Sequence, residues 1–96
     1  TCTIVGHVGD GNFHTLILLD PNDPDQMAEA KRLHDRMVER ALKLGGTCTG
    51  EHGIGYGKLD FMEAEHGADT IALMRALKNA IDPKGLMNPG KLIPGL

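Results

Sequence analysis

The sequence predicts an α+β fold, an antiparallel hairpin plus a short strand packed on helices, and three observations carry that expectation. Short apolar or β-branched runs at residues 1–5 and 15–19 flank a turn rich in Gly, Asp and Asn, which is the pattern of a hairpin. Apolar residues then recur at three- and four-residue spacing from Met27 to Leu44 and again from Ile71 to Ile81, the period of amphipathic helices. Between these stretches a brief Thr47-Cys48-Thr49 run, read as the short strand, opens into a loop with glycine at positions 50, 53, 55 and 57.

Within the hairpin, Gly9-Asp10-Gly11-Asn12 supplies residues that accept positive φ. A loop over those four residues pairs Val8 with Phe13 and His7 with His14. Directly opposed residues of an antiparallel pair share a face with Cβ atoms about 5 Å apart, so the two imidazoles would converge. Asp20-Pro21-Asn22-Asp23-Pro24 is a dense turn signal. Asp23 suits an N-cap, Pro24 the first helical position, and Gln26 a capping box. Met27, Ala30, Leu33, Met37, Ala41 and Leu44 form the apolar stripe of that helix, and Gly45-Gly46 ends it. The charged residues opposite read as a solvated face, and His34, at the border of the stripe, is assigned no chemistry. Residues 58–66 suit a short helix stopped by Gly67, and 69–81 a third helix with Ile71, Met74, Leu77 and Ile81 on one face. The tail, 82–91, has too many breakers for regular structure.

Composition narrows the function classes. Ninety-six residues make one small domain at most, with 41% apolar but 3% aromatic residues, so its core is Leu, Ile, Val, Met and Ala. A net charge of −3 with scattered basic residues offers nothing to a phosphate backbone, and no nucleic-acid partner is expected. No apolar run reaches the length of a membrane span. Cys2 and Cys48 lack CxxC spacing and read as a reduced, buried pair of an intracellular protein, with a disulfide left open as the alternative.

Two constellations suggest chemistry. His7 and His14 on one hairpin face provide two ligands for one metal ion, although a polar hairpin can carry two histidines without one. Glu51 and His52 share an extended, glycine-flanked loop, so their side chains are expected to diverge, one joining the histidine pair and the other facing a substrate. Two His and one carboxylate form a ligand set used by catalytic zinc and non-haem iron. Glu-His-Gly occurs again at 65–67, where a helix end explains it. The glycine-rich loop is not a Walker A loop, because no Ser or Thr follows Lys58.

Three segments carry a family resemblance: His-Val-Gly-Asp-Gly-Asn-Phe-His at 7–14, Gly-Thr-Cys-Thr-Gly-Glu-His-Gly-Ile-Gly at 46–55, and Asp-Pro-Lys-Gly-Leu-Met-Asn-Pro-Gly-Lys at 82–91. In this order and spacing they resemble the C-terminal end of the FAD-linked 2-hydroxy-acid dehydrogenases, flavoproteins of the vanillyl-alcohol-oxidase type, and most of all their cytochrome-linked D-lactate branch. The resemblance implies that 1–96 is a C-terminal fragment of the cap, or substrate, domain, whose FAD-binding domain lies elsewhere in the same polypeptide. It implies metal ligands at His7, His14 and Glu51, with zinc or manganese expected, a catalytic base at His52, and a place near the flavin for Asn88. Relatives that take hydroxyglutarate carry an Asn two residues after the second histidine, where this chain has Leu16, so a lactate-like aliphatic substrate is implied.

The chemistry then expected is metal-assisted oxidation of a D-2-hydroxy acid, with His52 as general base and FAD as hydride acceptor. Expected partners are that small substrate, the FAD-binding domain, and an electron acceptor: a cytochrome, a quinone or an electron-transfer flavoprotein. The fragment alone is expected to be inactive and prone to self-association. The expected location is the cytoplasm or the periphery of an inner membrane, mitochondrial in a eukaryote. The rival readings are a non-catalytic metal-binding or interaction domain and a His2Glu hydrolase, the latter disfavoured because no HExxH helix is present.

Overall fold

In the computed structural model, which describes residues 1–96, the chain folds as two units, Thr1–Gly46 and Thr47–Leu96. The first contains β1 (Cys2–His7), β2 (Asn12–Ile17) and α1 (Pro24–Lys43); the second contains α2 (Met62–His66) and α3 (Ala68–Ile81). The α+β class is the one the sequence predicts.

The hairpin forms, but its register departs from the expected one. The four-residue connection is 8–11, so His7 pairs with Asn12 and His14 with Val5. The cause lies in the turn: residues Val8–Asp10 form a 3-10 turn closed by Gly11, whose φ is 71° and whose N–H donates to Val8 O at 3.0 Å. Gly11 accepts the left-handed conformation more cheaply than Asn12, and the turn settles one residue earlier on both arms. Gly6, at φ 155°, lies against the backbone of β2, where a Cβ would stand 2.5 Å from Asn12 O and 2.6 Å from Phe13 Cα.

α1 begins as its sequence dictates. The Asp23 carboxylate accepts from the N–H groups of Asp25 and Gln26 at 3.0 and 3.2 Å. The Gln26 side chain donates to Asp23 Oδ2 and accepts the Asp20 N–H, both at 3.0 Å, reaching past the cap residue's own N–H. At the other end the Gly46 N–H donates to Ala41 O at 2.8 Å. One hairpin face, with Cys2, Thr15 and Ile17, meets Leu33, His34 and Met37 of α1 across a cleft of about 300 Å³. Thr15 Oγ1 lies 3.7 Å from Met37 Sδ there.

In the second unit the expected short strand is absent: residues 47–50 are irregular. The Cys48 N–H donates to Glu65 Oε2 at 3.0 Å instead of entering a ladder. Cys48, Met62, Ile71 and Ile93 are the buried apolar residues of this unit. α3 is rotated from the expected face, with Leu77 and Ile81 exposed at 55% and 75%. The tail explains the rotation, because it recruits the polar residues next to Ile71. Arg75 Nη2 donates to Pro94 O at 2.6 Å, and Lys78 Nζ binds Asp82 Oδ2 at 2.5 Å as well as the Met87 carbonyl. The tail has no helix or strand, as expected, yet it is well tied. The buried Asp82 carboxylate accepts the Leu86 and Met87 N–H groups, each at 2.9 Å. The Lys78 ammonium, then those two N–H groups, hold the Asp82 carboxyl down at about 2.

Two expected outcomes follow from these contacts. Gly6→Ala should lose about 1–3 kcal/mol in urea unfolding, because the new Cβ meets backbone that cannot yield. Gly9→Ala, where a Cβ meets nothing within 4 Å, should stay near wild type; equal losses at both positions would contradict the observed register. For Asp82, a folded pKa below the ordinary carboxylate value of 3.8 adds stability above about pH 4 that disappears as pH falls toward about 2. The gap in thermal midpoint between wild type and Asp82→Asn should therefore narrow across that window, and a gap independent of pH would refute the assignment.

Candidate functional site

The first unit contributes the two hairpin histidines. In the observed register His7 and His14 are diagonal neighbours rather than opposed, because His14 lies two residues beyond Asn12, the partner of His7. A shift of two positions preserves the face, whereas a shift of one would have reversed it. Diagonal neighbours stand about 7–8 Å apart at their Cα atoms, within reach of long side chains. Val5, Asn12 and Leu16 lie on the same face, which is opposite the one packed on α1. His34 belongs to that other side: it lines the cleft and places Nδ1 3.4 Å from Asp35 Oδ1.

The second unit contributes Glu51, His52 and Asn88. Thr49 Oγ1 donates to Gly53 O at 3.0 Å, and Gly53 and Gly55 take φ values of 77° and 51°. The loop is thus bent, and the expected divergence of adjacent side chains does not occur. Glu51 Oε1 and His52 Nε2 approach to 3.4 Å, on side chains 46% and 74% exposed. At that distance the two form a contact longer than an ordinary N–H···O hydrogen bond. The second Glu-His-Gly is structural, as expected: Gly67 ends α2 with its N–H on Glu63 O at 2.8 Å, and Glu65 holds Cys48.

Asn88 lies in the tail with φ at 46°. The tail is bonded to the glycine-rich loop, with the Leu92 N–H donating to Gly55 O at 3.0 Å and Tyr56 Oη donating to Pro89 O at 3.3 Å. Lys91 Nζ sits 5.3 Å above the Tyr56 ring, a cation–π distance. Sequence reasoning passed over Tyr56 and Asp82. The first carried no signal; the second had one, an Asp four residues after a Lys at a helix end. Of the two cysteines, both free, Cys48 is buried as expected but Cys2, at the start of β1, is exposed. Burial, then the Glu65 carboxylate, push the Cys48 thiol up to about 11, where it stays protonated near neutral pH.

Comparison with known proteins adds to this geometry. The chain is 52% identical over 93 residues to a mitochondrial D-lactate dehydrogenase [cytochrome] of Arabidopsis thaliana, a match covering 97% of this chain and 16% of that protein. It is 52% identical over 89 residues to D-lactate dehydrogenase [cytochrome] 1, mitochondrial, of Saccharomyces cerevisiae, covering 93% and 15% respectively. It is 48% identical over 92 residues to the glycolate oxidase subunit GlcD of Escherichia coli K12, covering 96% and 18%. The chain thus spans less than a fifth of the length of these curated relatives. The profile of the family described as FAD linked oxidases, C-terminal domain, matches residues 1–92, and the chain belongs to that family.

Proposed function

We propose that residues 1–96 form the C-terminal part of the cap domain of an FAD- and divalent-metal-dependent dehydrogenase that oxidises a D-2-hydroxy acid, foremost D-lactate, to the 2-oxo acid. The observation that carries this reading is the Glu51–His52 pair, two exposed groups 3.4 Å apart on a loop bent by glycine. An acceptor for a hydroxyl proton and the carboxylate that orients it are what oxidation of an alcohol asks of a protein.

The donor chemistry fits a divalent ion. Two imidazoles on one hairpin face and a carboxylate are the ligand types that zinc and manganese accept, so His7, His14 and Glu51 are the residues assigned to hold it. FAD, held mainly by a separate FAD-binding domain with Asn88 beside it, supplies the hydride acceptor, and the ion supplies electrostatic stabilisation of the substrate's oxygens. His52 takes the hydroxyl proton, and Glu51 orients its ring. Leu16, two residues past His14 on the same face, presents an apolar surface that suits an aliphatic substrate over one with a second carboxylate. The names of the plant and yeast relatives support a cytochrome as electron acceptor and a mitochondrial location in a eukaryote. No helix is long and apolar enough to cross a membrane. Exposed Leu73, Leu77 and Ile81, on one side of α3, are the surface expected to lie against other parts of the enzyme. Residues 1–96 alone should neither bind FAD stably nor turn over substrate.

The roles of the pair separate by substitution in the full-length, flavin-loaded polypeptide. His52→Ala should retain metal and flavin while kcat falls about 10²–10⁴-fold, the usual worth of a positioned base. That loss should shrink as pH rises and hydroxide partly replaces the imidazole. Glu51→Ala should lose metal and activity together at every pH, as read by elemental analysis and steady-state turnover. The reverse pattern of metal loss would exchange the two roles, and normal turnover by both variants would refute the site.

A further inference from the structure

The loop bearing Glu51 and His52 and the tail bearing Asn88 are joined at Gly55–Leu92 and Tyr56–Pro89. The tail and the loop are therefore tied to each other. Asn88 has a left-handed backbone, a conformation that Asn tolerates better than most residues other than glycine but that still has to be held. Just before Asn88 the surroundings converge on one group. Asp82, 8% exposed, accepts from the Leu86 and Met87 N–H groups through its two oxygens. Lys78 binds that carboxylate at 2.5 Å and also donates to the Met87 carbonyl, so one ion pair holds both the N–H and the C=O of Met87.

We propose that Asp82 is a positioning residue for the reaction: its carboxylate, clamped by Lys78, sets the backbone leading into Asn88 and, through the tail's bonds to Gly55 and Tyr56, the placement of the His52 loop. Asp82 moves no proton and touches no reacting atom in this account. The inference rests on the function proposed above, because it needs His52 and Asn88 to work at the site.

The test uses the full-length, flavin-loaded polypeptide and compares Asp82→Asn with wild type in D-lactate oxidation, well below the unfolding temperature. Asp82→Asn removes the charge that Lys78 grips and turns one acceptor into a donor facing an N–H group. The expected result is a kcat per bound flavin at least about tenfold lower, as misplacement of a catalytic group produces. The shape of the pH–kcat profile should stay as in wild type, whereas His52→Ala changes it. A variant with a lowered thermal midpoint but wild-type kcat per flavin would show a structural tie alone and overturn the proposal. Should Asp82→Asn not fold, Lys78→Met, which leaves the carboxylate and its two backbone bonds, should still lower kcat with the pH profile unchanged; wild-type kcat there would overturn it equally. If wild type itself oxidises no 2-hydroxy acid, the proposed function fails first, a result separate from either variant's.

Discussion

The close approach of β2 to Gly6 is the constraint on which the hairpin depends. With Asn12 O and Phe13 Cα occupying the place of a Cβ, no side chain fits there, and the strands can come together only with glycine at this position. Together with the left-handed turn residue Gly11, this fixes the alignment of the two strands. Alignment then decides which face each side chain takes, because a hairpin sorts its side chains by parity. Thr15 and Ile17 go to α1, while His7, Asn12, His14 and Leu16 go to the other face. The polar display and the apolar packing are two consequences of one backbone arrangement.

The second unit reaches order by another route. With four buried apolar residues and one short and one longer helix, it has little regular structure to organise the segments on either side. One buried and one partly buried carboxylate take over that task. Glu65 receives the Cys48 N–H, and Asp82 receives those of Leu86 and Met87 while paired with Lys78. A buried charge is tolerable only when its hydrogen-bonding capacity is filled, and a filled one resists displacement. That is how a tail full of helix breakers can present Asn88 in a set conformation beside a loop made pliable by glycine.

Much of this was legible in the residues. The hairpin, the capped helix, the helix stop at Gly67 and the irregular tail all follow from local signals that act within a few positions. The register was not, since Gly11 and Asn12 both accept a left-handed turn and the choice lies in a modest energy difference between them. Nor was the inner face of α3. Periodicity placed Leu77 and Ile81 inside, but the tail's carbonyls and Asp82 draw Arg75 and Lys78 inward, a long-range effect that helical period does not contain. For the candidate site, residue types and spacing singled out His7, His14, Glu51 and His52. The contact between the last two came from loop bending, which an extended reading of 50–53 missed.

The central functional claim, that this domain serves the oxidation of a D-2-hydroxy acid by bound flavin, is open to one direct measurement. The full-length polypeptide, purified with its flavin, would be mixed anaerobically with D-lactate and the flavin absorbance followed through a single turnover. The account predicts rapid bleaching by D-lactate, little or none by L-lactate, and near-silence on the same timescale in His52→Ala. A flavin that stays oxidised with D-lactate and with other D-2-hydroxy acids would contradict it.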